Sequence, residues 1–517
     1  MLTSFHSRAQ DAFHPAPSLE APATTKLTAS SSLPADAEVV GTLVELNGEL
    51  KELGLDRATL KVAGFEGKAG QTLVMPRAKG PPLIIIGAGE SAKLDAGRLR
   101  DAAAAFARAA STQKHLALSL PNTRVPLPVA AQVLTEGVLL ARYRYRVYKR
   151  TSEQDPPLGA LTLVAASGAL DEVQQGMKRG GVTSRVAGLA RDLANAPASL
   201  LTAARMADVA KALAKECGLG VEIFDGEALA KLGCGGILGV NAGSVEPPRM
   251  IKLTYLPKGV RGEAIEPIGR VALIGKGIMF DSGGLGLKPN DLVHATMKGD
   301  MSGAGAILAA MTALQALGCK VAVTAYLMCT DNMPSGTAMR LGDVLTVRGG
   351  KTVEVINTDA EGRLVMSDGL VLATEQKPRP DAIVDIATLT GACQRALGIL
   401  SAGVLGNNQA LVEQVKAAGE QTGDTVWQLP LDRRYREELE SEIADLKNVG
   451  GDNAGAITAG LFLEEFVDGV PWAHVDMAGT ARAERDNSWR SKGATGYGAR
   501  LLVDFLLNFT PPADSRH

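Results

Sequence analysis

Two kinds of segment alternate along the first half of the chain. Short β-branched or apolar runs are typical of buried strands, and longer runs rich in Ala and Leu are typical of helices. This alternation predicts an α/β layer with a mostly parallel sheet over residues 37–170. The predicted strands are Val39–Leu46, Leu83–Ile86, Leu116–Leu120 and Leu161–Ala165, with predicted helices at Ala96–Ala110 and Ala130–Arg146.

The pattern changes at both ends of this layer. Residues 1–36 are rich in Ala, Ser, Thr and Pro, which predicts a disordered tail. Asp171–Leu193 predicts one long helix that ends before Pro197, so residues 171–197 are interpreted as a helical connector.

Strand-like and helix-like runs resume over residues 198–517. Strands buried on both faces with helices between them indicate a doubly wound α/β domain with a mixed, mostly parallel sheet. The fold prediction is therefore two α/β domains, the larger one C-terminal and catalytic. Its predicted strands are Val221–Phe224, Ile251–Tyr255, Val271–Ile274, Val321–Leu327, Ala382–Ile386 and Ala473–Asp476, and its predicted helices are Ala204–Cys217, Gly303–Leu317, Leu364–Glu375, Leu411–Gly419, Ile457–Val467 and Gly498–Leu507.

Composition narrows the class of protein. Among 517 residues, 54 Lys and Arg balance 56 Asp and Glu, so nothing indicates a nucleic-acid or membrane partner. No apolar run reaches the ~20 residues of a membrane span, and Asp11 and Glu20 argue against a plastid transit peptide, which favours a cytoplasmic location. The five cysteines contain no C-x-x-C pair and are interpreted as reduced thiols. With six histidines and no H-E-x-x-H, any metal site must depend on carboxylates.

The octet Asn357-Thr-Asp-Ala-Glu-Gly-Arg-Leu364 is the most informative stretch of the chain. Asp359, Glu361 and Arg363 occupy alternate positions, so an extended segment would project all three from one face. The β-branched run Thr352–Ile356 predicts a strand before it. Two carboxylates and a guanidinium at a strand end suit a hard cation with an anion or carbonyl beside it. Taken alone, the octet fits a solvated turn with an internal ion pair equally well.

Further polar segments favour the cation site. In a doubly wound sheet, ligands bind at the carboxyl ends of the strands. Asp281, Asp300, Asp359 and Glu361 supply four negative charges, enough to balance two divalent cations, and without cations they would raise each other's pKa. Two metals that share a bridging water are the economical interpretation. The segments concerned are Lys276–Gly284 with Lys288, Met297–Met301, the octet, and Asp385–Gly391.

Across residues 180–510 the chain resembles the leucyl aminopeptidases, which are cytosolic two-metal exopeptidases. The octet is close to diagnostic of that family, whereas the first half resembles the family only in length and α/β pattern. The motifs that accompany the octet are Gly275-Lys-Gly-Ile-Met-Phe-Asp-Ser-Gly-Gly284, Asn332-Met-Pro-Ser-Gly336, Asp385-Ile-Ala-Thr-Leu-Thr-Gly-Ala392, Lys447-Asn-Val-Gly-Gly451 and Trp472-Ala-His-Val-Asp-Met-Ala-Gly479.

The resemblance implies two divalent ions per subunit, Mn²⁺ or Zn²⁺. Lys276 would be a neutral ligand, because an adjacent dication depresses the pKa of an ammonium group. Lys288 would stay charged and stabilise the oxyanion. The implied ligands are Lys276, Asp281, Asp300 and Glu361 for the tightly bound ion, and Asp281, Asp359 (also through its carbonyl) and Glu361 for the exchangeable one.

The resemblance also implies bicarbonate as the general base, a homohexamer, and hydrolysis of the first peptide bond of peptides with a free N-terminus. An apolar pocket would prefer Leu or Met. Three departures from the family pattern are Ser302 in place of glycine, a 289–299 segment one residue longer that carries His294, and Leu341 in place of proline. Bicarbonate would be held by Arg363 and by backbone at Ala360, Gly362 and Leu389, and the pocket lined by Met297, Thr388, Ala478 and Ala481.

Two other interpretations compete with parts of this one. Leu83–Ala92 resembles a strand followed by G-x-G-x-x-A, but the next strand ends in Pro-Asn without the acidic residue of a dinucleotide site, so a plain strand–turn–helix junction is favoured. Basic residues interleaved with tyrosines over 142–150 could bind nucleic acid in a second, regulatory role. A solvated end of an element is the favoured interpretation there, since the rest of this half lacks a basic stripe.

Overall fold

The structure, a computed structural model, describes residues 16–20, 25–48, 50, 54–148, 156–259 and 262–512. The described residues form two compact units, one of residues 16–188 with 483–493 and one of residues 189–482 with 494–512. The division falls within the 26-residue helix Leu170–Asn195, which occupies most of the segment interpreted as a connector. Both units contain a largely parallel sheet with helices, so the prediction of two α/β domains is confirmed.

The first unit is built on a six-stranded sheet. Its strands are β1 (Lys26–Ser30), β2 (Val39–Glu45), β3 (Thr72–Met75), β4 (Leu83–Gly89), β5 (His115–Ser119) and β6 (Ala160–Val164). They lie in the order β1-β6-β5-β2-β4-β3, and every neighbouring pair is parallel except β3 with β4. The helices are Pro17–Glu20, Arg57–Val62, Ala96–Ala109, Leu127–Arg142 and most of Leu170–Asn195, with short 3₁₀ turns at Ser91–Lys93 and Ser167–Ala169.

Strand β1 lies inside the segment predicted as a disordered tail. It pairs in parallel with β6 along its whole length, and the Thr25 hydroxyl donates to Leu158 O at 3.0 Å. The Ala29 amide also donates to the Gln174 side chain at 2.9 Å. The prediction of disorder is therefore wrong for Lys26–Ser30, because a small-residue composition does not prevent edge pairing to an apolar strand. Residues 1–15 and 21–24 of the predicted tail lie outside the described residues.

The second unit carries an eight-stranded sheet and a smaller one. The large sheet contains β7 (Gly220–Phe224), β8 (Arg249–Tyr255), β9 (Arg270–Asp281), β10 (Ala322–Asn332), β13 (Ala382–Ala387), β14 (Ala402–Gly406), β15 (Val426–Gln428) and β17 (Trp472–Asp476). The small sheet contains β11 (Val344–Thr346), β12 (Thr352–Glu354) and β16 (Leu446–Lys447), and two-residue strands β18 (Arg482–Ala483) and β19 (Gly493–Ala494) pair with each other. The helices are Ala203–Cys217, Gly226–Lys231, Gly235–Asn241, Ser302–Met311, Gly362–Thr374, Gly391–Leu397, Gln409–Thr422, Gly455–Glu464 and Ala499–Leu507, with 3₁₀ segments at His294–Gly299 and Arg433–Leu439.

The order of the large sheet is β15-β14-β17-β13-β9-β10-β8-β7. Strands β17, β13, β9 and β10 form its parallel centre, so their carboxyl ends meet at one edge. These strands are buried on both faces, as their continuous apolar sequences predict. The helix Gly362–Thr374 packs on this sheet through Leu364, Val365 and Leu370 in a core that includes Trp472.

The end of β9 contains an irregularity that matters for the site. Ile278 pairs with Thr330, but the next pair is Asp281 with Asn332, so β9 advances three residues while β10 advances two. This is the count of a β-bulge, with one extra residue in β9. Side chains alternate along a regular strand, so Lys276 and Asp281, five residues apart, would point to opposite faces. The extra residue cancels that odd separation and lets both side chains reach the same site.

Candidate metal centre

The octet is not extended, contrary to the sequence-based expectation. Thr358 and Asp359 form a turn after β12, and Glu361 already has helical backbone angles (φ −74°, ψ −35°) at the start of the helix Gly362–Thr374. Glu361 and Arg363 therefore reach the site from the first turn of a helix, and only Asp359 from a turn. Gly362 begins that helix, and its missing side chain leaves room for Lys276, whose Cε would lie 2.8 Å from a Cβ there.

Three carboxylates converge at the carboxyl edge of the sheet. Asp281 ends β9, Asp300 precedes the helix Ser302–Met311, and Glu361 precedes Gly362–Thr374. One oxygen of each lies within 4.8 Å of those of the other two, and all three residues are buried. Asp300 Oδ2 and both oxygens of Glu361 have no hydrogen-bond partner among the described residues. Buried carboxylate oxygens without donors are costly unless a cation binds them, so the cluster fits hard divalent ions.

Two lysines provide the only positive charge within ion-pair distance of these described carboxylates. Lys276 Nζ lies 2.8 Å from Glu361 Oε1 and 2.9 Å from Asp300 Oδ2, and donates to Thr388 O at 2.9 Å. The two ion pairs are close but poorly aligned, which is why those carboxylate oxygens remain without hydrogen bonds. Lys288 Nζ lies 2.7 Å from Asp281 Oδ2 and 2.5 Å from Asp359 Oδ1.

The electrostatics show a shortage of positive charge. Burial raises the pKa of Glu361 to about 8, and the negative charge of Asp281 adds to the shift. Burial likewise raises the pKa of Asp300 to about 6, although Lys276 opposes it. Burial disfavours the charged form of Lys276, but Asp300 and Glu361 outweigh that effect and raise its pKa above the ordinary value. Within ion-pair distance, four carboxylates face only two ammonium groups among the described residues, which leaves room for added cations.

Arg363 is a buried cation beside this cluster. Only 5% of the residue is exposed, and its Nε and Nη1 atoms have no acceptor among the described residues. Burial lowers its pKa to about 10, while Glu361 and Asp476 partly offset the shift. Two buried guanidinium N–H groups without acceptors fit a small anion.

The other residues predicted to hold the anion through their backbone are Ala360, Gly362 and Leu389. Gly362 begins the helix, and the Ala360 amide donates to Asn357 O at 3.2 Å. The Leu389 amide donates to Asp476 Oδ1 at 3.2 Å.

The predicted pocket residues fall into two groups. Thr388 Oγ1 donates to Asp300 Oδ1 at 2.6 Å, and Met297 O accepts the Asp300 amide at 3.2 Å, so both flank that carboxylate. The Ala478 amide donates to Asp476 Oδ1 at 3.2 Å, and Ala481 O accepts the Thr495 amide at 3.0 Å. Their role in substrate binding stays a prediction.

The structure also shows the contacts of four other residues, of which the sequence had singled out two. Asp385, part of the fourth polar segment, accepts from Trp472 Nε1 at 2.6 Å and pairs with His474 Nδ1 at 2.5 Å, so it belongs to a buried network within the sheet. Ser302, the departure from glycine, donates to Gly299 O at 2.5 Å as its helix begins. Two buried asparagines, Asn332 and Asn448, contact the octet and received no role from the sequence, although both lie in the motifs that carried the resemblance.

The competing interpretations gain no support. Gly87 and Gly89 lie inside β4, and a Cβ on Gly87 would meet Lys68 O at 2.0 Å, so these glycines serve backbone packing. In the basic segment, Arg142 donates to Ala110 O, Gln113 O and Pro156 O at 2.6–3.0 Å. Lys149 and Arg150 lie outside the described residues. Within the described residues, no helix is long and apolar enough to cross a membrane.

Comparison with known proteins places the chain. The model of the cytosol aminopeptidase family catalytic domain matches residues 188–503, and that of the family's N-terminal domain matches residues 41–152. A probable cytosol aminopeptidase of Syntrophotalea carbinolica is 42% identical over 452 residues, which cover 86% of this chain and 89% of the relative.

Solved structures agree with the sequence matches. The bottromycin maturation enzyme BotP in complex with Mn is similar at 36% identity with a TM-score of 0.83, over 91% of this chain and 99% of that chain. A tomato leucine aminopeptidase mutant is similar at 31% identity with a TM-score of 0.84, over 94% of this chain and 97% of that chain. With a buried carboxylate cluster at the carboxyl edge of the sheet and matches over most of its length, the chain belongs to the cytosol aminopeptidase family.

Proposed function

We propose that this chain is a metal-dependent aminopeptidase that removes the N-terminal residue of unblocked peptides. The observation that carries the proposal is the buried cluster of Asp281, Asp300 and Glu361, in which one oxygen of each residue lies within 4.8 Å of the other two and three oxygens have no hydrogen-bond partner in the described part of the chain. Membership in the cytosol aminopeptidase family supports the same activity.

The proposed ligands follow the arrangement of the cluster. When bound, two divalent cations would supply Lewis acidity and lower the pKa of a bound water. Mn²⁺ is the first ion to test, since the similar enzyme BotP has been solved in complex with Mn. Lys276, Asp281, Asp300 and Glu361 would hold one ion, and Asp281, Asp359 and Glu361 the other.

Lys288 has a separate role in the proposal. Its ammonium lies between Asp281 and Asp359, which raise its pKa above the ordinary value against the effect of burial. It therefore stays protonated and can donate to a developing oxyanion.

Arg363 would hold bicarbonate as the general base. Its two buried N–H groups without acceptors match the paired oxygens of a small planar anion. Backbone at Ala360, Gly362 and Leu389 would complete that site, and Arg363 itself, being cationic, would orient the base and take no proton.

The substrate and setting complete the proposal. Met297, Thr388, Ala478 and Ala481 would line an apolar pocket that prefers Leu or Met side chains. The chain would assemble as a homohexamer in the cytoplasm. Size-exclusion chromatography with light scattering tests the hexamer.

The central test is hydrolysis of a leucine anilide by the full chain after chelation and readdition of Mn²⁺ or Zn²⁺. The proposal expects activity to return with metal and N-acetyl-leucine anilide to resist cleavage. Activity that neither metal restores, or equal cleavage of both substrates, would refute it. Arg363→Ala tests the anion site: it should lose most activity and bicarbonate dependence while keeping two metals per chain, and loss of metal would assign Arg363 a structural role instead.

A further inference from the structure

Two buried asparagines hold the octet in place. Asn332 ends β10 and Asn448 follows β16, and only 1% and 0% of these residues are exposed. Their motifs, Asn332–Gly336 and Lys447–Gly451, have no role in the ligand set proposed above. Both carboxamides nevertheless bond directly to backbone or side chains of the metal centre.

Asn448 uses both ends of its carboxamide on the octet. Its Oδ1 accepts the amides of Ile356 at 2.8 Å and Asn357 at 3.2 Å. Its Nδ2 donates to Asn357 O at 2.7 Å and to Ala360 O at 3.3 Å. The turn that carries Asp359 is therefore fixed before and after that residue by one side chain.

Asn332 joins the octet to a second chain segment. Its Nδ2 donates to Asp281 Oδ1 at 2.9 Å and to Thr358 O at 3.0 Å. A single amide group thus ties a carboxylate on β9 to the backbone of the turn. The Gly283 amide also donates to Asp281 Oδ1, so that oxygen is held from two sides.

A carboxamide suits both positions for a physical reason. It is neutral, so it adds no charge to a centre that already has four carboxylates, and it can donate and accept at once. An aspartate at Asn448 would face the carbonyls of Asn357 and Ala360 without a proton to donate. Metal ligands must be held within fractions of an ångström, and groups that orient ligands are worth 10- to 100-fold in affinity.

We propose that Asn448 and Asn332 are positioning residues that set the spacing of Asp281, Asp359 and Glu361 for cation binding. The inference rests on the proposed metal-dependent function. Neither asparagine touches the reacting atoms, and each acts through the ligand that it orients.

The test is Mn²⁺ binding by isothermal titration calorimetry on the chelator-treated full chain. Asn448→Ala and Asn332→Ala should each bind Mn²⁺ about 10- to 100-fold more weakly. Their activity on a leucine anilide should fall at limiting Mn²⁺ and recover at high Mn²⁺, and the control variant below separates this effect from general destabilisation.

Asn407→Ala is the matched control. Asn407 bridges backbone in the same way, donating to Val470 O at 3.0 Å and accepting the Trp472 amide at 2.7 Å, but at the opposite end of β17 from the metal centre. It should lower the melting temperature and leave Mn²⁺ affinity unchanged. Should Asn448→Ala fail to fold, Asn332→Ala decides alone.

The failures are distinguishable. A wild-type chain that binds neither Mn²⁺ nor, in the same titration, Zn²⁺ refutes the proposed function, and the positioning roles fall with it. Wild-type binding together with wild-type affinity in the folded asparagine variants overturns the positioning proposal only.

Discussion

Replacing Arg363 with methionine should stabilise the metal-free, bicarbonate-free protein while abolishing most activity. The side chain is buried, and its Nε and Nη1 atoms have no acceptor among the described residues. Methionine fills a similar volume without a charge or a donor. The Arg363 side chain therefore lowers the stability of the metal-free protein while activity depends on it.

The magnitude follows from the electrostatics of the site. Burial lowers the pKa of Arg363 from 12.5 to about 10, and each unit corresponds to 1.36 kcal/mol, so the charged form costs about 3 kcal/mol. Two buried N–H groups without acceptors, at about 1–3 kcal/mol each, give a similar figure. At about 2 cal/mol/K per residue, a unit of about 310 residues should gain about 5 °C in melting temperature.

Thermal denaturation after chelation, in bicarbonate-free buffer, measures the effect. Added bicarbonate should then raise the melting temperature of the wild type and leave Arg363→Met unchanged. Arg191→Met is the control, because Arg191 is equally buried but donates from Nε to Thr495 O at 2.8 Å, so its loss should destabilise. The reasoning is refuted if Arg363→Met melts below the wild type, or if bicarbonate stabilises both proteins equally.

Three further predictions concern other described contacts. Burial raises the pKa of Asp368 to about 7, so the folded chain keeps a proton there that the unfolded chain loses near pH 4. Asp368 should therefore lower stability by up to about 4 kcal/mol as pH rises from about 4 to about 7, and in denaturant titrations Asp368→Asn should remove that share of the slope while Glu361 and Asp300 keep theirs. Thr388→Val removes the 2.6 Å bond to Asp300 and should weaken Mn²⁺ binding about tenfold by calorimetry. Arg142→Ala removes three bonds to carbonyls and should lower the free energy of unfolding by about 2–4 kcal/mol without changing a DNA gel shift.

Each of these has an opposing outcome. A pH slope that Asp368→Asn leaves unchanged would show that Asp368 is not among the groups that cause it. Unchanged Mn²⁺ affinity in Thr388→Val would remove Thr388 from the support of Asp300. A gel shift that is present in the wild type and lost in Arg142→Ala would revive the nucleic-acid interpretation.

The sequence predicted six of the eight strands of the large sheet and missed β14 and β15. The central strands were found because they are continuous apolar runs. The sequence placed Val271–Ile274 inside β9, and Val321–Leu327 begins one residue before β10, although both strands extend farther, through polar residues that enter the site. The small sheet of β11, β12 and β16 was largely missed, because short strands whose residues are separated by long loops leave little periodicity.

For the site, the sequence predicted which residues take part more accurately than it predicted the backbone conformation that carries them. Carboxyl ends of neighbouring parallel strands meet at one edge, so the approach of Asp281 to segments far away in sequence could be expected. The helical start at Glu361 could not, since alternate charged residues fit a strand face and a first helical turn alike. Asn332 and Asn448 were also beyond reach, because their bonds to the octet depend on tertiary contacts.

The bulge at the end of β9 makes the site sensitive to parity. Lys276 and Asp281 serve one centre only because an odd separation is corrected by one unpaired residue. Removing one residue between them would make the separation even, so a regular strand without the bulge would present both side chains on the same face. Among relatives, then, a single-residue gap at this point should accompany loss of the bulge with both ligands retained.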